Sequence, residues 1–135
     1  MKTNIKNLAT ILATTIWADG EYDEAEKISV EEIAEAFELD VNELLAAVNA
    51  EVEAISALDE EKVNEVLLQN AAEVDEEEAE LVLQAVLQIA TVDGVLCEEE
   101  VDNILSIASA LGVNEARAVL MLADLVKDEP ELEVV

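Results

Sequence analysis

Four carboxylates have the types and spacing for chemistry. Asp19 and Glu26 stand seven residues apart across an Asp19-Gly20 turn, and Asp93 and Glu100 repeat the arrangement across Asp93-Gly94. Carboxylate oxygens are hard ligands that suit Ca²⁺, Mg²⁺ or Mn²⁺. A tight turn between the members of each pair lets both reach one ion. The same residues have a structural reading. Glu26 follows Asp23 by three residues, the spacing of a capping box, and Glu100 holds the equivalent place after Cys97. Asp19 and Asp93 are of the type that accepts backbone N–H groups inside a turn. Both readings stand at this level. An EF-hand is excluded, because its glycine is the sixth loop position and here glycine directly follows the first aspartate. Glu21, Asp23, Glu24 and Glu98 either complete such a site or are solvated charges at helix starts, where the helix dipole favours them.

Other chemistries lack their parts. The chain has no histidine, which removes the usual general base and His-based zinc sites together. Cys97, the single cysteine, has no base beside it and no disulfide partner. Its place at a helix start reads as a substitute cap. There is no glycine-rich phosphate loop and no Ser/His/Asp set. Paired carboxylates can hydrolyse glycosides, but with 34 acidic residues a pair carries little information. One Trp, one Tyr and one Phe cannot build an aromatic ligand platform; Trp17 and Tyr22, flanking the first turn, read as packing. The expectation is a protein that is not an enzyme.

Charge narrows the partners. Six basic residues against the 34 acidic ones give a net charge of −28. No basic patch exists for nucleic acid, and anionic membrane surfaces repel such a chain. Cations and basic protein surfaces are its natural partners. Lys2 and Lys6 begin the chain, but Asn4, Asn7 and Thr10 interrupt its apolar residues, so no signal peptide is read. No run of 18 apolar residues occurs, so no membrane insertion is expected. These features suit a cytoplasmic protein.

The elements that must position the carboxylates are helices. Ile5, Leu8, Leu12 and Ile16 recur at helical spacing and predict a first helix from about Thr3 to Ala18. Gly20 follows where a helix end favours positive φ. Helix two turns Ile28, Ile33, Ala34 and Phe37 inward and Glu31, Glu32, Glu35 and Glu38 outward. Asp40 and Glu43 form a capping box before a third helix with the stripe Val41, Leu44, Leu45, Val48, Val52 and Ile55. Asp59 caps a fourth helix carrying Val63, Val66, Leu67 and Ala71. Asp75 and Glu78 form a capping box opening a fifth, with Ala79, Val82, Leu83, Val86, Leu87 and Ala90. A sixth carries Val101, Ile104, Leu105, Ala108 and Leu111 and stops at Gly112. Asn114 caps a seventh, from about Glu115 to Lys127. Residues 128–135 read as a loose acidic tail. Strand-type alternation is sustained nowhere, so the fold class is all-α.

The two turns also reveal an internal repeat. From Asp19 to Asp93 the offset is 74 residues, and it carries Ile33, Ala34, Ala36 and Phe37 onto Ile107, Ala108, Ala110 and Leu111. The chain therefore reads as one domain over residues 1–127, with three-helix repeats at about 5–56 and 79–127 joined by a short helix at 59–73. Repeats of this kind commonly pack about a pseudo-twofold axis, an arrangement that can bring both Asp-Gly turns to one region.

The pattern Ala-Asp-Gly-x-x-x-x-x-Glu, at Ala18–Glu26 and in the variant Val92-Asp93-Gly94 to Glu100, resembles that of the tellurite-resistance TerB family. It is also similar to the N-terminal domain of DjlA-type membrane-anchored co-chaperones. The resemblance runs from about Leu8 to Leu125. It implies about seven helices, clustered acidic residues proposed to bind a metal ion, a role in stress response to toxic anions and metals, and partners at the inner membrane. By position it carries the metal-site assignment onto Asp19, Glu26, Asp93 and Glu100. Asp23 and Cys97 stand where the family often has a small hydroxyl residue, and the basic surface is smaller than the family's tellurite proteins have. Two functions follow as expectations. One is a cation-binding TerB-like stress-response domain that recruits a basic protein or a membrane-protein partner. The alternative is an acidic protein-interaction module without a specific ion.

Overall fold

A computed structural model describes residues 4–19, 24–91, 95–96, 98–128 and 133–134. Of residues 18, 19, 95, 96, 99, 128, 133 and 134 it describes the backbone alone. The described chain is all-helical apart from one minimal strand pair. Its helices are α1 (Ile5–Asp19), α2 (Glu24–Ala36), α3 (Val41–Ser56), α4 (Glu60–Ala72), α5 (Ala79–Ala90), α6 (Glu98–Leu111) and α7 (Glu115–Asp128). A 3₁₀ turn, Glu76–Glu78, precedes α5.

The first helix is the centre of the molecule. No charged residue occurs between Lys6 and Asp19, and every residue from Asn7 to Ile16 is buried. Its apolar spacing predicts one buried face; instead α3, α4, α5 and α6 all pack on it, so it is enclosed nearly all round. Three threonines tolerate this because each hydroxyl is satisfied inside the helix. Thr10 donates to the Lys6 carbonyl at 2.8 Å, Thr14 to that of Thr10 at 2.9 Å and Thr15 to that of Ile11 at 3.1 Å. Leu8, Ile11, Leu12 and Ile16 fill the core around α1, each burial contributing roughly 1.5–3 kcal/mol. The second interior helix, α5, lies against α1, α2 and α6.

Several local expectations are met by side-chain caps. The Asp40 carboxylate accepts from the Glu43 amide at 2.9 Å, and that of Asp59 from the Lys62 amide at 2.9 Å. The Asn114 side chain accepts from the Ala116 amide at 2.8 Å. Asp75 departs from expectation. It accepts from the amide of Glu77 at 2.9 Å, the chain winds as a 3₁₀ turn, and the α-helix begins only at Ala79. Ile28 departs too. It is 46 % exposed, because α2 turns Glu26, Ser29, Val30, Ile33 and Ala34 inward at three-to-four spacing and Ile28 lies off that stripe. The tail expected to be loose supplies Glu133–Val134, which pairs in parallel with Val95–Leu96.

Three helix starts in each half of the chain are 74 residues apart. α1, α2 and α3 begin at residues 5, 24 and 41, and α5, α6 and α7 at 79, 98 and 115. Equivalent corners close alike. Glu38 has φ 57° and Gly112 φ 82°. The Leu39 amide then donates to Ala34 at 2.8 Å, as that of Val113 does to Ala108 at 2.9 Å. Packing is less even. α3 lies along α1, whereas α7 rests chiefly on α6. α4 covers α1 and α6 and has no repeat-related partner among the described helices.

Candidate functional site

Glu26 and Glu100 are the third residues of α2 and α6. That position fits a capping glutamate, and it also sits in the positive field of the free amides at a helix start. The structure turns both side chains inward. Glu26 is 1 % exposed, the one charged residue classed as buried among those described. Glu100 is half-buried, with its Oε2 atom enclosed. Local sequence explains the direction. In α2, Glu26 heads the stripe that continues through Ser29, Val30 and Ile33. In α6, Glu100 heads the stripe leading to Ile104, Ile107 and Leu111. A side chain at the head of an inward stripe enters the interior with it.

A carboxylate taken out of water costs several kcal/mol unless a cation or hydrogen-bond donors replace the lost hydration. Glu26 is buried, Glu100 is half-buried, and each makes polar interactions where it sits, so this pair at equivalent helix starts is the most distinctive placement of charge among the described residues. Most of the other described acidic side chains, such as Glu24, Glu31, Glu53 and Glu65, are exposed and act as a solvated shell.

Asp19 is the last residue of α1; its side chain is not among those described. Asp93, Gly94, Gly20 and Asp23 lie outside the described residues, and so do Tyr22 and Cys97. The structure thus places Glu26 and Glu100 of the four candidates. Among the described residues, no group of three or more Asp, Glu, Cys or His side chains is gathered as a metal cluster would be. Trp17 packs against the small cluster of Ala13, Ile55 and Val63, a structural role consistent with its position beside the turn.

A second feature is not evident from helical spacing. An open groove of about 590 Å³ runs between α2, α5 and α7. One wall is α5, through Gln84, Leu87 and Gln88, with Thr91 just past its end, and Glu32 closes one side from α2. Met121, Asp124 and Leu125 line it from α7. Gln88 donates to Glu32 Oε2 at 2.7 Å, and Arg117 of α7 reaches Glu80 of α5 at 2.6 Å. Comparing the repeats residue by residue is the signal that finds it: Gln84, Leu87, Gln88 and Thr91 replace Thr10, Ala13, Thr14 and Trp17. Gln84, Leu87 and Gln88 are larger than the residues they replace, and Thr91 is smaller and more polar than Trp17.

No helix among the described residues is long and apolar enough to cross a membrane. Compared with known proteins, residues 6–123 match the family model described as tellurite resistance protein TerB. No curated protein matches the chain, and no solved structure does.

Proposed function

Since the chain belongs to the tellurite-resistance TerB family, we propose that it is a non-enzymatic, cation-binding stress-response domain whose acidic surface recruits a basic protein partner. Asp19, Glu26, Asp93 and Glu100 hold a hard divalent ion, calcium, magnesium or manganese, near the two Asp-Gly turns. The observation that carries this reading is the inward setting of Glu26 and Glu100 at equivalent helix starts. Their donor set is all carboxylate oxygen, the chemistry that hard cations require. A divalent ion there offsets part of the −28 charge that opposes compaction. When bound, the ion supplies positive charge and fixes the turns; the residues themselves orient oxygens and close the helix starts.

A titration with Ca²⁺, Mg²⁺ and Mn²⁺ at constant ionic strength, followed by calorimetry and thermal unfolding, tests this. One saturable site is expected, with roughly 2.7 kcal/mol of stabilisation at a hundredfold excess over Kd. Glu26→Gln and Asp93→Asn abolish it, while Glu53→Gln on the exposed face of α3 leaves it intact. A shallow response identical in all four proteins overturns the ion site. The second reading then stands, an acidic interaction module without a specific ion. What favours that reading is the net charge of −28, which suits a basic protein surface whether or not an ion is bound.

A further inference from the structure

We propose that the groove between α2, α5 and α7 receives one amphipathic helix with cationic flanks from a partner protein, much as α1 and α6 receive α4. This locates the partner side of the preceding reading but rests on packing, not on the ion.

The template for the occupant lies within the molecule. On the first repeat, Thr10, Ala13 and Thr14 are at most 2 % exposed. Ala13 packs with Ile55 of α3 and Val63 of α4. On the second repeat the equivalent residues Gln84, Leu87 and Gln88 line an open groove, because α7 rests on α6 and no described helix takes the place of α4. α4 buries Val63, Leu67 and Ala71, so a stripe of small and medium aliphatic residues at four-residue spacing is what such a face accepts. Leu87 and Met121, both buried, underlie the groove, and half-buried Leu125 adds apolar surface at its wall.

Charge selects the flanks. Glu32 and Asp124 stand at the groove and Arg117 is already engaged by Glu80, so incoming Lys or Arg finds carboxylates. A second copy of this chain is disfavoured by its own net charge of −28. Its α4 carries Glu60, Glu61 and Glu65, the wrong sign for the site.

The probe is a helix-stapled synthetic peptide of residues 59–73 carrying Glu60→Lys, Glu61→Lys, Glu65→Lys and Glu73→Lys. Binding to the whole protein is measured by fluorescence anisotropy in EDTA at about 0.15 M salt, where surface charge is well screened. The expected result is saturable one-to-one binding, with a sequence-scrambled peptide of equal charge at least tenfold weaker. Gln84→Arg, an exposed position that fills the groove with positive charge, weakens binding roughly tenfold, the size of one lost interface anchor. Asp124→Lys does the same, while Asn49→Arg on exposed α3 changes nothing. No saturable binding, equal binding of the scrambled peptide, or equal loss in Asn49→Arg overturns the proposal. Glu26→Gln binds the peptide as the unsubstituted protein does, so the groove and the ion site can fail separately.

Discussion

Two equivalent corners differ by one residue type, and exchanging those types should move stability in opposite directions. Glu38 sits at φ 57° and Gly112 at φ 82°, both in the left-handed region that ends a helix. A residue with Cβ at such a position costs about 1–2 kcal/mol. Replacing it with glycine also frees the unfolded chain, which takes back roughly 0.4–1 kcal/mol. Glu38→Gly is therefore expected to stabilise by about 0.5–1 kcal/mol. Gly112→Ala meets no atom within 4 Å of the added Cβ, so no clash adds to its backbone strain, and it should destabilise by about 1 kcal/mol. Glu38→Gln separates the charge contribution, since it removes the carboxylate and keeps the strain. Urea unfolding at fixed ionic strength reads all three as shifts in midpoint at constant slope. In thermal unfolding about 1 kcal/mol corresponds to roughly 4 °C for a domain of this size. If Glu38→Gly lowers the midpoint, or Gly112→Ala leaves it unmoved, these corners do not limit stability as the dihedral angles require.

Removing either helix cap, Asp40→Ala or Asp59→Ala, should cost about 1 kcal/mol each. The caps serve different helices and share no partner, so the double variant should add to within roughly 0.5 kcal/mol by urea unfolding. Asn at either site should recover most of the loss, because Asn keeps the accepting oxygen. Leu12→Ala, at the fully buried centre of α1, should cost about 3–5 kcal/mol through transfer and cavity. Leu120→Ala, at a position 50 % exposed, should stay within about 0.5 kcal/mol in the same assay.

Much of the helical layout is legible in the sequence because it is written locally. Asp40, Asp59, Asn114 and Gly112 mark helix ends by chemistry that acts within three or four residues. The stripes of α3 and α4 emerge as read, with Leu44, Val48 and Ile55, and Val63, Leu67 and Ala71, all buried. What escapes a local reading is the number of neighbours a helix has. Spacing gives α1 one apolar face, but Thr10, Thr14 and Thr15 are buried because other helices surround it. Ile28 looks inward by type and lies outward by angle. The candidate site shows the same division. A role for Glu26 and Glu100 at helix starts follows from spacing, whereas their burial depends on which helices lie over α2 and α6. The groove is invisible in either repeat alone, since it arises from a difference in how α3 and α7 lean.

The enclosure of α1 has a consequence for synthesis. This helix leaves the ribosome before the helices that cover it: α6, one of them, ends at Leu111, 92 residues beyond Asp19. At about 5–20 residues per second, the nascent chain carries Leu8, Ile11, Leu12 and Ile16 without their full native cover for roughly 5–20 s. Over that interval an uncharged, largely apolar segment of a strongly anionic chain is open to non-native contacts. Cells making it rapidly should show a dependence on co-translational chaperones that the finished, heavily charged molecule would not suggest.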